Sequence, residues 1–525
     1  MVSARFAALL FLMACGSEPS APVDVTLTAE QLLVRASLDV RGTRPTASEM
    51  QAVIDNPASV DDVIDGFVED AGFLERVKSM FAPGFRTRID FYPFGRDDRR
   101  GDVSEAIGEE PLDLLATLVA NDRPYSDLVL ADYTVVRREL LGVWPLEATD
   151  RAVSAPEGTV IAAYTDGRPH AGVLSSNAMW IRHPSTLENA NRGRANALTR
   201  ALLCENFLDR PIDFPTDLDL SDSETIRQAI REEPACTACH ATLDPLASYL
   251  WGFMDSVAES PEALSTYEPT RERDWMRFTD RPPGYFGTPG SGLLDLGIQL
   301  ASDERFVRCA VERVYEGMLG RDAAPIDDGA IAEHRDAFVT SGLDLKALVR
   351  SVLTDARYQG TPVPTAYGGR PEAVELKVIT PDQLSQELEA LTGYRMTFDE
   401  RDALRLDSGL RSVAGGSDQG NATLPSTGLA LVHRRLAEAA AVGLVDGVVT
   451  DGELSRFLPS FDRAPTGEQL AELVLVTSSQ QIPVDGPEAD ALLALWEDSR
   501  ALTDPPTAWK ALLTALLSDP ARLVY

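Results

Sequence analysis

Basic residues are scarce in this chain relative to acidic ones. Its 525 residues include 48 lysines and arginines against 82 aspartates and glutamates, for a formal net charge of −34. So much negative charge repels phosphate backbones and anionic lipid head groups. We therefore exclude nucleic acid as a partner, and we expect the acidic surface to be solvated rather than built for one specific ligand.

Several enzyme motifs are also missing. The chain has no P-loop, no HExxH zinc motif and no Ser-His-Asp pattern, so hydrolysis and phosphoryl transfer have no supporting signal. Beyond the N-terminus, no segment offers about 18 uninterrupted apolar residues, the length that a spanning helix needs. We therefore expect no later membrane span.

The N-terminus has the pattern of an export signal. Arg5 precedes a short apolar run at 6–13, which is typical of a signal peptide and too short for a permanent membrane helix. We expect this signal peptide to occupy residues 1–14.

A cysteine ends that pattern. The segment 12–15 resembles the lipobox of bacterial lipoproteins, in which the cysteine is acylated and becomes the first mature residue, here Cys15. Gly16, directly after the cysteine, resembles the residue that directs a lipoprotein to the outer membrane. We therefore expect an acylated tether at 15–27 that holds an outer-membrane lipoprotein facing the periplasm or the cell surface. The alternative is an ordinary signal peptide with a chance cysteine.

Cysteines are few: Cys15, Cys204, Cys236, Cys239 and Cys309. When the lipidation site and the CxxC pair are set aside, Cys204 and Cys309 remain. A disulfide between them is possible in an oxidising compartment, and two buried free thiols are the alternative.

Helical signals dominate the rest of the chain. Three capping boxes predict short helices near the N-terminus: Thr28 with Gln31, Thr46 with Glu49, and Ser59 with Asp62. Apolar residues recur at helical spacing over 112–119, 128–141, 246–254, 306–318 and 345–353. Thr380 is expected to cap a later helix, and 81–102 is expected to be loop. Strand patterns are few, so we predict a mainly α fold.

The length of the chain indicates several small helical domains. After the tether, we expect an N-terminal helical domain at 28–165, a motif-bearing domain at 166–292, a helical domain packed on it at 293–360, a linker rich in Pro and Gly at 361–375, and a C-terminal helical domain at 376–525.

The segment 236–240, Cys-Thr-Ala-Cys-His, has the spacing that attaches haem c. Two thiols three positions apart reach the two vinyl groups of one porphyrin edge, and the adjacent histidine lies under the iron. We predict one covalent haem c on Cys236 and Cys239, with His240 as its proximal ligand. A redox dithiol, half of a zinc site and a structural disulfide are the alternatives.

The sixth iron ligand has four candidates: His183, Met179, Met254 and Met276. Met254 lies on an apolar stripe, where core packing is the simpler role. His183, beside a proline, and Met276, in a loop region, are freer to reach iron, so we prefer these two. The choice matters because methionine raises the potential and a second histidine lowers it.

The run at 231–253 resembles the haem-bearing segment of planctomycete-type cytochrome c-like proteins, which are large exported proteins of unassigned function. Further blocks of this family are similar to segments 121–136, 170–194 and 306–322, and to Cys204. The resemblance covers about half of the chain, from 112 to 358. It implies haem c, export and an all-α build, and it implies no substrate.

We therefore predict a monohaem c-type lipoprotein, anchored to the membrane through Cys15, that passes electrons to or from a partner protein. Two alternatives stay open. One is a non-redox surface binding or scaffolding lipoprotein whose CxxC forms a structural disulfide. The other is a peroxidase-like haem enzyme with an open iron site.

Overall fold

The computed structural model describes residues 27–92, 101–211, 221–253, 267–360 and 376–525. In this part of the chain most residues are helical and the sheets are small, which confirms the mainly α prediction. Cys15, the signal peptide and the 361–375 linker lie outside the described residues.

The helices before residue 254 are α1 Ala29–Arg41, α2 Ala47–Asp55, α3 Val60–Asp65, α4 Ala71–Phe85, α5 Gly101–Ala120, α6 Asp127–Leu130, α7 Asn177–Arg182, α8 Arg192–Leu203, α9 Ser223–Glu232 and α10 Pro234–Ser248. The later helices are α11 Trp275–Phe278, α12 Leu293–Ala301, α13 Glu304–Leu319, α14 Asp328–Thr340, α15 Leu345–Leu353, α16 Pro381–Thr392, α17 Thr427–Val445, α18 Gly467–Ser478, α19 Pro487–Leu502 and α20 Pro505–Leu517.

Short strands form three antiparallel sheets in the described residues. The largest contains β1 Thr134–Arg137, β2 Leu146–Ala148 and β3 Thr159–Tyr164 in the order β1-β3-β2. Two hairpins complete the set: β4 Gly284–Tyr285 with β5 Thr288–Pro289, and β6 Thr397–Phe398 with β7 Arg401–Asp402.

Local capping signals predict helix ends well. The capping boxes at Thr28 and Thr46 form as expected, and Thr380 caps α16 in the same way. Gly320 ends α13 in the left-handed conformation (φ 70°), which suits a residue without Cβ. The box expected at Ser59 is wrong: α3 does begin at Val60, but the Ser59 side chain makes no capping hydrogen bond.

Two predictions of local structure are wrong. The helix expected over 128–141 ends at Leu130, and β1 follows it, with Val135 facing Ile161 of β3. Pairing with this distant strand overrides the local helical pattern. The loop expected over 81–102 is wrong at both ends, because α4 continues to Phe85 and α5 begins at Gly101.

Two main hydrophobic cores organise the described residues. One extends from Leu32 on α1 to Tyr358, which follows α15, and it includes side chains from all three segments 28–165, 166–292 and 293–360. The other lies between Ile379 and Leu523. Segments before residue 361 therefore share a main core, with a smaller third core between Tyr92 and Ile181, and the C-terminal segment has its own.

A buried polar cluster joins these two parts. The carboxylate of Asp39, on α1, accepts hydrogen bonds from the hydroxyls of Tyr358 (2.7 Å) and Tyr525 (2.9 Å) and from the Lys377 ammonium. The backbones of Lys377 and Tyr525 also pair with each other, at 2.8 and 3.0 Å. The last residue of the chain is thus tied to the first described helix.

Among the helices in the described ranges, none is both long and apolar enough to cross a membrane.

Candidate haem site

The CxxCH motif lies inside a helix. Glu233, in extended conformation, precedes α10, and Pro234 opens it, where the missing proline N–H costs no helical hydrogen bond. The helix then runs through the motif to Ser248. The separate helix expected at 246–254 is therefore wrong, because α10 begins twelve positions earlier and ends at Ser248, near the start of that range.

Helical spacing places the three motif side chains together. Positions 236, 239 and 240 are related as i, i+3 and i+4, so Cys236, Cys239 and His240 share one face of α10. Both thiols are free and half-buried, and Cys239 packs at the edge of the main core. Burial raises the pKa of the Cys236 thiol, and the nearby Glu233 carboxylate adds to the effect.

A buried carboxylate holds the histidine ring. Nδ1 of His240 lies 3.0 Å from Oδ1 of Asp244, one turn further along α10. The Asp244 residue is only 2% exposed, whereas the His240 side chain is 24% exposed. Because the carboxylate occupies Nδ1, the ring presents Nε2, for which the described residues supply no hydrogen-bond partner.

Arg192 completes this arrangement from another helix. It begins α8, and its Nε donates to the same Asp244 oxygen at 2.6 Å. Burial alone would raise the pKa of Asp244, but hydrogen bonds from His240 and Arg192 outweigh it and lower that pKa below its usual value. Asp244 is therefore an ionised acceptor, fixed in position by the guanidinium.

Sequence reasoning missed this supporting pair. Asp244 and Arg192 lie within segments 231–253 and 170–194, and the family resemblance of those segments assigns them no role. The four-residue spacing between His240 and Asp244 on a helix was a usable signal for Asp244. Arg192 had no such signal, because 52 residues separate it from Asp244.

These residues fit a covalent haem c. Two free thiols three residues apart are the groups that form thioethers, and an imidazole fixed at Nδ1 offers Nε2 to a metal. In the ranges described, no group of three or more His, Cys, Asp and Glu side chains is arranged to hold a metal ion.

In the described residues, no hydrogen bond or ring contact joins a sixth-ligand candidate to His240. Met179 is 1% exposed within the main core. His183 lies with Nε2 3.3 Å from the carbonyl of Phe85 and 3.4 Å from an Arg200 nitrogen. Met276 lies on α11, half exposed. Met254 falls outside the described residues.

The surroundings of His183 disfavour the protonated, positively charged form of its ring. Burial lowers its pKa to about 3, and the positive charge of Arg200 adds to this effect. The ring is therefore neutral at physiological pH.

Cys204 and Cys309 are joined. The structure places them in a disulfide with a Cα–Cα distance of 5.3 Å. The bond links the end of α8 to α13, so the helix that begins with Arg192 is tied at its other end to the main core.

Residues 170–257 match a family model. The family, PSCyt3, is described as "Protein of unknown function (DUF1588)". For this segment the match confirms the resemblance to planctomycete cytochrome c-like proteins of unassigned function. The PSCyt3-like segment contains Arg192, the whole CxxCH motif and Asp244. No curated protein and no solved structure matches the chain.

Proposed function

We propose that this chain is an exported electron-transfer protein that carries one haem c. Cys236 and Cys239 would hold the porphyrin through thioethers, and His240 would bind the iron through Nε2. We further propose that Cys15 is lipidated and anchors the protein at the outer membrane, facing the periplasm or the cell surface. When bound, the haem supplies reversible one-electron chemistry, and the protein sets its potential and access.

One observation carries this proposal. On a single face of α10, two unpaired thiols lie beside a histidine whose Nδ1 is already held by the buried Asp244. A structural CxxC would need no adjacent imidazole fixed in this way. Arg192 and Asp244 fix the ring orientation before any ligand binds, and the ring edge with Nε2 stays partly exposed.

The redox partner would carry a basic docking surface. The net charge of −34 gives this protein a strong negative field. Such a field speeds encounter with a positively charged partner and makes the association rate fall as salt rises.

The deciding experiment measures the mass and haem stain of the denatured mature protein. We would express the full chain in a bacterium with a cytochrome c maturation system. Wild type should gain the mass of one haem and should stain, because thioether bonds survive denaturation. The double variant C236S/C239S should lose both signals. Thr237→Ala, which keeps the motif, should retain them. A colourless wild-type protein of unmodified mass would refute the proposal.

Lipidation is tested separately. The wild type should incorporate a labelled fatty acid and fractionate with the outer membrane, whereas Cys15→Ser should do neither. Equal labelling of the two proteins would contradict a lipid on Cys15.

A second candidate function is a haem enzyme with an open iron position. Two observations favour it. The Nε2 of His183 already lies against the Phe85 carbonyl and an Arg200 nitrogen, and the Asp244 carboxylate holds Nδ1 of the proximal imidazole. A carboxylate partner increases electron donation by the imidazole. Rapid binding of cyanide or carbon monoxide to the purified protein would favour this function. A spectrum unchanged by either ligand would favour electron transfer.

A further inference from the structure

Four arginines from four structural elements lie near one another, and three of them act on the charge of His183. We call them the arginine cluster: Arg86 after α4, Arg182 at the end of α7, Arg200 on α8 and Arg313 on α13. Direct contacts join them. The Nε of Arg182 donates to the Arg86 carbonyl at 2.7 Å, and a terminal nitrogen of Arg313 donates to the Arg200 carbonyl at 3.3 Å.

Carboxylates are too few to neutralise the arginine cluster. Asp418 pairs with Arg182 at 2.7 Å, and Glu316 lies 3.8 Å from Arg313. Within the described ranges, neither Arg86 nor Arg200 forms an ion pair. The four guanidinium groups therefore face two carboxylates, in a protein whose overall charge is strongly negative.

The arginine cluster also holds unused donors. The Nε atoms of Arg86, Arg200 and Arg313 are buried and have no hydrogen-bond partner. Buried polar groups are normally satisfied, so three such donors in one place call for an acceptor. Burial lowers the pKa of Arg200 to about 10, and repulsion from Arg86, Arg182 and Arg313 contributes. This mutual repulsion shows that the four charges act on the same small region.

A cleft of about 540 Å³ reaches one member of the arginine cluster, Arg313. It lies between α4, α13 and the C-terminal part of the chain. Arg313 lines it, as do Ser417 and Gln419, the two neighbours of Asp418. An added Cβ at Gly84, two residues before Arg86, would lie 3.4 Å from the Arg313 Nε, so the Arg313 guanidinium lies against the end of α4. The cleft thus gives a solute access to the Arg313 side of the cluster.

We propose that the arginine cluster binds a small doubly charged oxyanion of the phosphate or sulfate class, which enters through this cleft. A guanidinium offers a planar fork of N–H donors that matches the oxygens of such anions. A dianion would balance the excess of positive charge and give an acceptor to the unpartnered Nε of Arg313, the member that lines the cleft. This site is separate from the CxxCH motif and does not depend on haem.

The test is calorimetric titration of the full-length protein with inorganic phosphate and, separately, with sulfate. We expect one saturable site. R200Q and R313Q should each weaken it by roughly tenfold, as expected for loss of one charge-assisted contact. R434Q, which changes an exposed arginine on α17, is the matched control and should bind as wild type does. A difference in affinity between the phosphate titration and the sulfate titration would identify the preferred anion.

Two outcomes would overturn the proposal: no saturable binding of either anion at millimolar concentration, or equal affinity in R200Q, R313Q and the control. If a variant fails to fold, a spectroscopic measurement on the wild type tests the proposal instead. Phosphate should shift the Nε–H resonances of Arg86, Arg200 and Arg313 in the NMR spectrum. If it leaves all three resonances unmoved, the proposal is wrong.

Discussion

Oδ1 of Asp244 accepts from Nδ1 of His240 at 3.0 Å and from Nε of Arg192 at 2.6 Å. One carboxylate oxygen therefore orients the imidazole and is itself oriented by a guanidinium from another helix. A negative charge behind an iron-bound imidazole stabilises the more positive ferric state. The proposed haem should for this reason have a lower potential than the CxxCH motif alone would confer.

Asp244→Asn should raise the midpoint potential of the haem-loaded protein by on the order of 60 to 130 mV. The amide oxygen can still accept both hydrogen bonds, so the change removes mainly the charge. A charge-assisted hydrogen bond is worth about 1.5 to 3 kcal/mol, and about 1.4 kcal/mol corresponds to 59 mV for one electron. Redox titration of the absorption spectrum measures the shift. Asp303→Asn, which alters a different carboxylate, should leave the potential unchanged, and an unchanged potential in Asp244→Asn would contradict this role.

Loss of the Cys204–Cys309 disulfide should lower the free energy of unfolding by about 4 to 5 kcal/mol, because the bond closes a loop of about a hundred residues. Urea denaturation of Cys309→Ala against wild type measures the loss. A reducing agent should destabilise the wild type to a similar extent. If Cys204 and Cys309 are both alkylated in denatured, unreduced protein, the bond does not form in solution.

Acid should destabilise the C-terminal core through His433. Burial lowers the pKa of this residue to about 4, and the charge of Arg522 contributes. The unfolded histidine titrates near 6.5 and so binds its proton more readily than the folded one. The stability associated with neutral His433 is therefore complete above that pH and is lost as pH falls toward 4.

The expected loss between pH 7 and pH 4.5 is about 2 to 3 kcal/mol from this one group. Urea unfolding at both pH values, in wild type and His433→Gln, measures it. The glutamine variant should lack this part of the pH dependence. A titration of His433 near pH 6.5 in the folded protein, observed by NMR, would contradict the prediction.

Gly297 allows close packing of α12. An added Cβ would lie 2.4 Å from the carbonyl oxygen of Val129, which is backbone and cannot move aside cheaply. Gly297→Ala should therefore destabilise the protein by about 1 to 3 kcal/mol, as overpacking does. Gly329→Ala on α14 is the control, because nothing lies within 4 Å of its added Cβ. It should be neutral or stabilise by up to about 1 kcal/mol. Thermal unfolding of the two variants tests this prediction. Equal melting temperatures would contradict the close approach of Gly297 to the Val129 carbonyl.

Much of the fold was predictable where the signal is local. Thr28, Thr46 and Thr380 mark helix starts because a capping box needs only residues within one turn. The expected helix over 128–141 failed because Val135 pairs with Ile161, and strand pairing depends on residues far along the chain. The segments 28–165, 166–292 and 293–360 have separate signals in the sequence but one core in the structure.

The candidate site likewise has a part that the sequence predicts and a part that only the structure shows. Cys236, Cys239 and His240 are adjacent in sequence, so their chemistry could be inferred directly. The placement of His183 could not, because Phe85 and Arg200, which engage its ring, come from distant segments. The arginine cluster likewise has no signature in sequence.

By itself, the sequence determined the helical character of the chain, many of its helix ends and the spacing of its CxxCH motif. Each of these depends on interactions within a few residues. Only the tertiary structure decided that Arg192 stands behind Asp244, that Cys204 meets Cys309 and that four arginines gather near Arg200. Those juxtapositions come from the packing of helices whose distance along the chain carries no information about their distance in space.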